Sequence, residues 1–155
     1  MGRQRPLPFG GPVVHLTATA KSPTGPFTKQ MRPIFTSPGV DFPAEDPFVW
    51  YDASRRGYFA IVKDFNGYFT HAGRSLALWQ SANGFEWRPS EHVLVATTEV
   101  QWADGRTQKF NSLERPQFLF EDGRPVVLLA AVDEDAERTH SFNIQIPLAV
   151  TAPQR

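Results

Sequence analysis

Two short segments carry the residue types best suited to chemistry. Glu45-Asp46-Pro47 and Glu114-Arg115-Pro116 each set a glutamate two residues before a proline, with Asp46 directly before the first, and the glutamates lie 69 residues apart. Carboxylates that converge can divide acid–base work: one is held protonated as a donor while its neighbour stays ionised and raises the donor's pKa by like-charge repulsion. A proline after an acid also reads as a plain turn former, so the motif needs a structural context before it means more. The four histidines, His15, His71, His92 and His140, show no ligand spacing, and cysteine is absent. No metal site is expected from these, and no disulfide or thiolate chemistry is possible. Gly-rich phosphate loops, nucleophile elbows and H-E-x-x-H motifs are absent, and no cofactor is implied.

The elements that must position these acids are read as strands. Short apolar runs bounded by turn residues recur, and helical periodicity is nearly absent. The runs predict strands at 12–20, 26–35, 47–52, 57–64, 75–81, 85–88, 92–97, 116–121, 125–132 and 141–149. Turn signals separate them: SPTG, DASRRG, SANG, EDGR and DEDAER. Aromatic residues make up 13% of the chain, and 14 Pro and 11 Gly supply turns. This composition fits pleated, half-buried surfaces, and the class is all-β.

Two internal repeats organise the strands. Ser22 and Gly25 recur as Ser81 and Gly84, 59 residues later, each time as an S-x-x-G turn followed by an apolar triplet (Pro33–Phe35, Val93–Val95). The E-x-P segments repeat at the offset of 69, each opening a strand–turn–strand hairpin. Repeats of roughly 40–60 residues built from about four short strands characterise β-propeller blades. On that reading residues 1–155 form one domain of about two and a half four-stranded blades: an outer half-blade at 12–36, a full blade at 46–98 and a last blade at 115–150. Each E-x-P then opens an innermost strand beside the central channel, and Asp46 and Glu114 converge at its mouth. A β-sandwich is the alternative architecture.

AEDPFVWYD and LERPQFLFEDGRPVVLL, with the S-x-x-G-x-x-W of Ser81, Gly84 and Trp87, resemble the five-bladed propeller glycoside hydrolases of the family 43 type. The resemblance spans about residues 13–150 and implies a partial five-bladed propeller acting on glycosidic bonds. It implies that Glu114 is the general acid and that Asp46 tunes it. Such cleavage needs one carboxyl group to protonate the leaving oxygen and a second carboxylate to activate water or attack carbon. The family's general base is an Asp on an earlier inner strand, for which Asp41 is a poor substitute, and Arg115 stands where a small residue is usual. A longer enzyme, a ring completed by a second chain, or loss of hydrolysis would each account for this. Substrate contacts are expected from Glu45, Trp50, Lys63, Asp64 and Arg115; Lys63 and Asp64 open the Gly-punctuated KDFNGYFTHAG loop, a candidate pocket rim or a plain surface connection. A non-catalytic carbohydrate-binding module and an assembly domain are the competing functions.

The expected partners are a carbohydrate and, to complete the ring, a second copy or a complementary propeller fragment. Sixteen basic residues balance sixteen acidic ones without a basic block, which argues against nucleic acid. No stretch approaches the ~18 apolar residues of a membrane span. The start, MGRQRPLPFGGPVV, lacks the apolar core of a secretory signal, so the default compartment is the cytoplasm unless the chain is a fragment.

Overall fold

The computed structural model describes residues 12–149. The two ends of the assigned domain, with the N-terminal stretch read for a signal, lie outside the described residues. All regular structure among them is antiparallel sheet. The strands are β1 (His15–Thr19), β2 (Thr28–Ile34), β3 (Ala44–Asp52), β4 (Gly57–Asp64), β5 (Ser75–Ser81), β6 (Arg88–Thr97), β7 (Glu99–Gln101), β8 (Thr107–Lys109), β9 (Ser112–Glu121), β10 (Arg124–Asp133) and β11 (Ser141–Pro147). They form a β1-β2 hairpin, a four-stranded β3-β4-β5-β6 sheet, a small β7-β8 hairpin and a three-stranded β9-β10-β11 sheet. None of these sheets closes on itself.

The middle sheet explains the apolar runs. Along β4, Ala60 and Val62 point to one face and Ile61 to the other, and all three are fully buried. A strand covered on both faces loses the alternation of a half-exposed one and reads as a continuous hydrophobic run. On the first face Ala60, Val62, Ala77 and Trp79 pack with Phe35, which closes the β1-β2 hairpin. On the second, Ile61 and Leu76 pack with Leu113, Leu128, Ala130, Val132 and Ile144 of the three-stranded sheet. The four-stranded sheet therefore lies between the β1-β2 hairpin and the three-stranded sheet. Only its outer part is covered on the hairpin side: Val49 and Tyr51, on β3, remain 49% and 54% exposed.

The S-x-x-G repeat turns the chain twice at a glycine of positive φ, with a different acceptor for the glycine N–H each time. The Gly25 N–H donates to the Ser22 carbonyl (3.0 Å), and the Gly84 N–H donates to Ser81 Oγ (2.9 Å). Both glycines sit at positive φ, +85° and +78°, where a Cβ is disfavoured. The second turn corrects one expectation. Asn83 Oδ1 accepts from the N–H groups of Phe85 and Glu86, both at 2.9 Å, so the strand expected at 85–88 is turn, and β6 begins only at Arg88. The β7-β8 hairpin has no counterpart in the sequence reading.

Candidate functional site

The E-x-P repeat forms the same structure twice, and that structure is a β-bulge. Along β3 the pairing moves from Glu45↔Lys63 to Phe48↔Ile61, and along β9 from Glu114↔Ala131 to Gln117↔Leu129. In each case one extra residue is accommodated on the E-x-P strand. The middle residues take it up in the left-handed region, Asp46 at φ 51° and Arg115 at φ 50°. Side chains other than glycine rarely adopt that conformation, and it costs roughly 1–2 kcal/mol per residue. The following prolines bring no N–H, so the ladder loses no donor at the kink.

Each bulge helps to hold the other. The Arg115 N–H donates to Asp46 Oδ2 at 3.2 Å, so the side chain of the first bulge satisfies the backbone of the second across 69 residues of sequence. The Asp46 side chain thereby meets the backbone of the residue that follows Glu114.

Lys63 links Glu114 to Glu45. It is the penultimate residue of β4, opposite Glu45, with its side chain 3% exposed, and its ammonium lies 3.0 Å from Glu45 Oε2 and 2.5 Å from Glu114 Oε1. A second cation, Arg138, donates from Nη2 to the same Glu114 oxygen at 2.7 Å, with its Nε 3.3 Å from Asp133 Oδ2. Asp133 is fixed by the hydroxyls of Ser112 (2.8 Å) and Ser141. Burial pushes the Glu114 carboxyl up, but the hydrogen bond and charge of Lys63, together with the charge of Arg138, outweigh it and hold the group below its ordinary value. The Ser141 and Ser112 hydrogen bonds hold Asp133 down as well. From β1, His15 feels the same cluster: burial pushes its imidazole down, and the charges of Asp46 and Glu45 offset part of the effect.

The remaining expected residues are placed differently. Asp64 is fully buried, and its two oxygens accept from the N–H groups of Gly67, Tyr68, Phe69 and Thr70 at 2.8–2.9 Å and from the Thr70 hydroxyl at 3.0 Å. It builds the KDFNGYFTHAG loop from within, and neither it nor Lys63 lies on an exposed rim. Trp50 packs into the aromatic cluster between the sheets, 5.7 Å from Phe59 and 5.3 Å from Phe118 between ring centroids. The Arg115 residue is exposed, and its guanidinium has no partner among the described residues. Arg138, Asp133 and His15 are site residues that the sequence reading did not assign. Only the shared offset of the E-x-P motifs pointed to this place, and it marks carboxylates, not their counter-ions.

Chemically, the cluster is a buried carboxylate, Glu114, held ionised by one enclosed and one half-exposed cation, with a second carboxylate, Glu45, on the enclosed cation. No family model, curated protein or solved structure matches the chain.

Proposed function

We propose that this chain is the acid-bearing part of a carbohydrate-cleaving β-propeller, with Glu114 as proton donor and Asp46 as the carboxylate that tunes it. The observation that carries the reading is the pairing of the two bulges, which puts Asp46 Oδ2 3.2 Å from the backbone N–H next to Glu114. Glycoside hydrolysis runs on two carboxyl groups, one that donates a proton and one that activates water or attacks carbon. The water-activating base is supplied by an inner strand of a complementary fragment or of a second copy. A second reading, carbohydrate binding without cleavage, draws support from the ion pairs that hold Glu114 ionised at neutral pH.

Turnover of a panel of alkyl and aryl glycosides by the purified chain separates the two, with azide added to stand in for the base. Hydrolysis predicts slow, azide-accelerated cleavage that Glu114→Gln reduces by ~10²–10⁴ for poor leaving groups, the usual span of acid–base assistance. Glycosides that bind by saturation-transfer NMR but are never cleaved favour the binding module. Neither binding nor turnover overturns both readings.

A further inference from the structure

The two cations on Glu114 are not equivalent, and they leave one of its oxygens free. Lys63 is enclosed on β4, whereas the Arg138 side chain is 54% exposed and reaches in from the β10–β11 connection. Both donate to Oε1. Oε2 accepts no hydrogen bond from any described residue. The connection that carries Arg138 is closed on itself: the Glu134 N–H donates to the His140 carbonyl (3.1 Å), and the Thr139 N–H donates to Asp135 Oδ1 (3.0 Å). Arg138 itself takes φ 58°, so its guanidinium is aimed by a backbone conformation that side chains rarely adopt.

We propose that Arg138 is a positioning residue for Glu114: a removable counter-ion that presents Oε2 as the proton-carrying oxygen and, by leaving, lets Glu114 take up a proton. The proposal rests on Glu114 being the proton donor. A donor must be protonated near its working pH, and an enclosed carboxylate with two cations on one oxygen is not. Lys63 has no room to withdraw without exposing Glu45 and Glu114 together. Arg138 can swing into water, where its guanidinium is readily solvated. The charged groups around Glu114 are then Lys63 from β4, Asp133 from β10, and Glu45 and Asp46 from β3. Without Arg138, Lys63 is left as the one cation facing these carboxylates among the described residues, and burial favours the neutral acid.

The test is the pH titration of the Glu114 carboxyl carbon by ¹³C NMR on the full chain. Arg138→Ala should raise its midpoint by about one pH unit, a tenfold gain in proton affinity, and Arg138→Lys should restore much of the original value. In the unmutated chain, raising the salt from about 0.05 to 1 M should move the midpoint the same way, since a half-exposed charge is screened and an enclosed one is not. Midpoints that stay within about 0.2 unit in both experiments overturn the proposal, whatever the activity. If the midpoint moves while Glu114→Gln leaves glycoside turnover intact, Arg138 still positions Glu114 and the proton-donor reading is what fails.

Discussion

Replacing Lys63 with methionine keeps the length of the side chain and removes its charge. In the folded chain that charge sits between Glu45 Oε2 and Glu114 Oε1, at 3.0 and 2.5 Å, in a position with 3% side-chain exposure. Breaking a buried ion pair by deleting one partner costs about 3–5 kcal/mol, because the other charge is left enclosed. Two features place this site at the low end. Glu45 is 33% exposed and rehydrates, and Glu114 keeps Arg138 at 2.7 Å. The expected loss is about 3 kcal/mol at pH 7, or a fall of roughly 6–12 °C in Tm for a chain of this size. The pH dependence carries a sign. The Glu114 carboxyl is held below its ordinary value in the folded state, so its contribution is complete above the unfolded carboxylate range and is lost as pH falls through the folded value. The difference in Tm between Lys63→Met and the parent, followed by circular dichroism, should therefore shrink below about pH 4. Adding Glu114→Gln removes the stranded charge, and the double variant should be more stable than the two single losses predict by about 1–3 kcal/mol. A loss under about 1 kcal/mol at pH 7, with a Tm difference that ignores pH, would refute the burial argument.

Three further outcomes follow from the geometry. Asp64→Ala leaves the N–H groups of Gly67 to Thr70 without their acceptor, and hydrogen exchange should show those four amides losing protection together, with stability down by about 3 kcal/mol. Acidification from pH 7 should destabilise the chain progressively, because His15, Glu114 and Asp133 all have lowered folded values and bind protons more readily when unfolded; a chemical-denaturation midpoint unchanged between pH 7 and about pH 4 would contradict this. The uncovered face at Val49 and Tyr51, with the open edge of β1, is expected to draw two copies together, so sedimentation should report a dimer, and a monomer of 17.4 kDa unchanged at high concentration would sink that expectation.

The middle of the chain was the most legible in sequence. The runs at 57–64 and 75–81 coincide with β4 and β5 because strands buried on both faces are written in uninterrupted apolar residues. The strand expected at 85–88 failed because Phe85 and Trp87 advertise a strand, whereas Asn83 captures the backbone locally first. The β7-β8 hairpin, Glu99–Gln101 with Thr107–Lys109, is too short and polar to show any period. At the site, one shared offset marked both E-x-P segments, which form matching bulges joined by the bond from the Arg115 N–H to Asp46. Lys63 was legible as the charged end of an expected strand and as a candidate substrate contact on the loop that follows, but nothing local says that such a lysine will be enclosed. Arg138, in the acidic DEDAER turn, was invisible because its role depends on a left-handed backbone and on a partner 24 residues away.

The double burial of β4 has a consequence for how the chain reaches this state. Phe59-Ala60-Ile61-Val62 gains its cover from two different neighbours, one earlier in sequence and one later, so the strand stays partly bare until both have docked. Uncharged β-prone segments exposed during folding nucleate intermolecular sheets. Here the run is bracketed by charge, with Arg55 and Arg56 before it and Lys63 and Asp64 after it. Such flanking residues act as gatekeepers against self-association. Lys63 and Asp64 thus serve the chain twice: as charges that keep the nascent strand apart from its copies, and later as the enclosed groups that hold the carboxylate cluster and the 64–70 loop respectively.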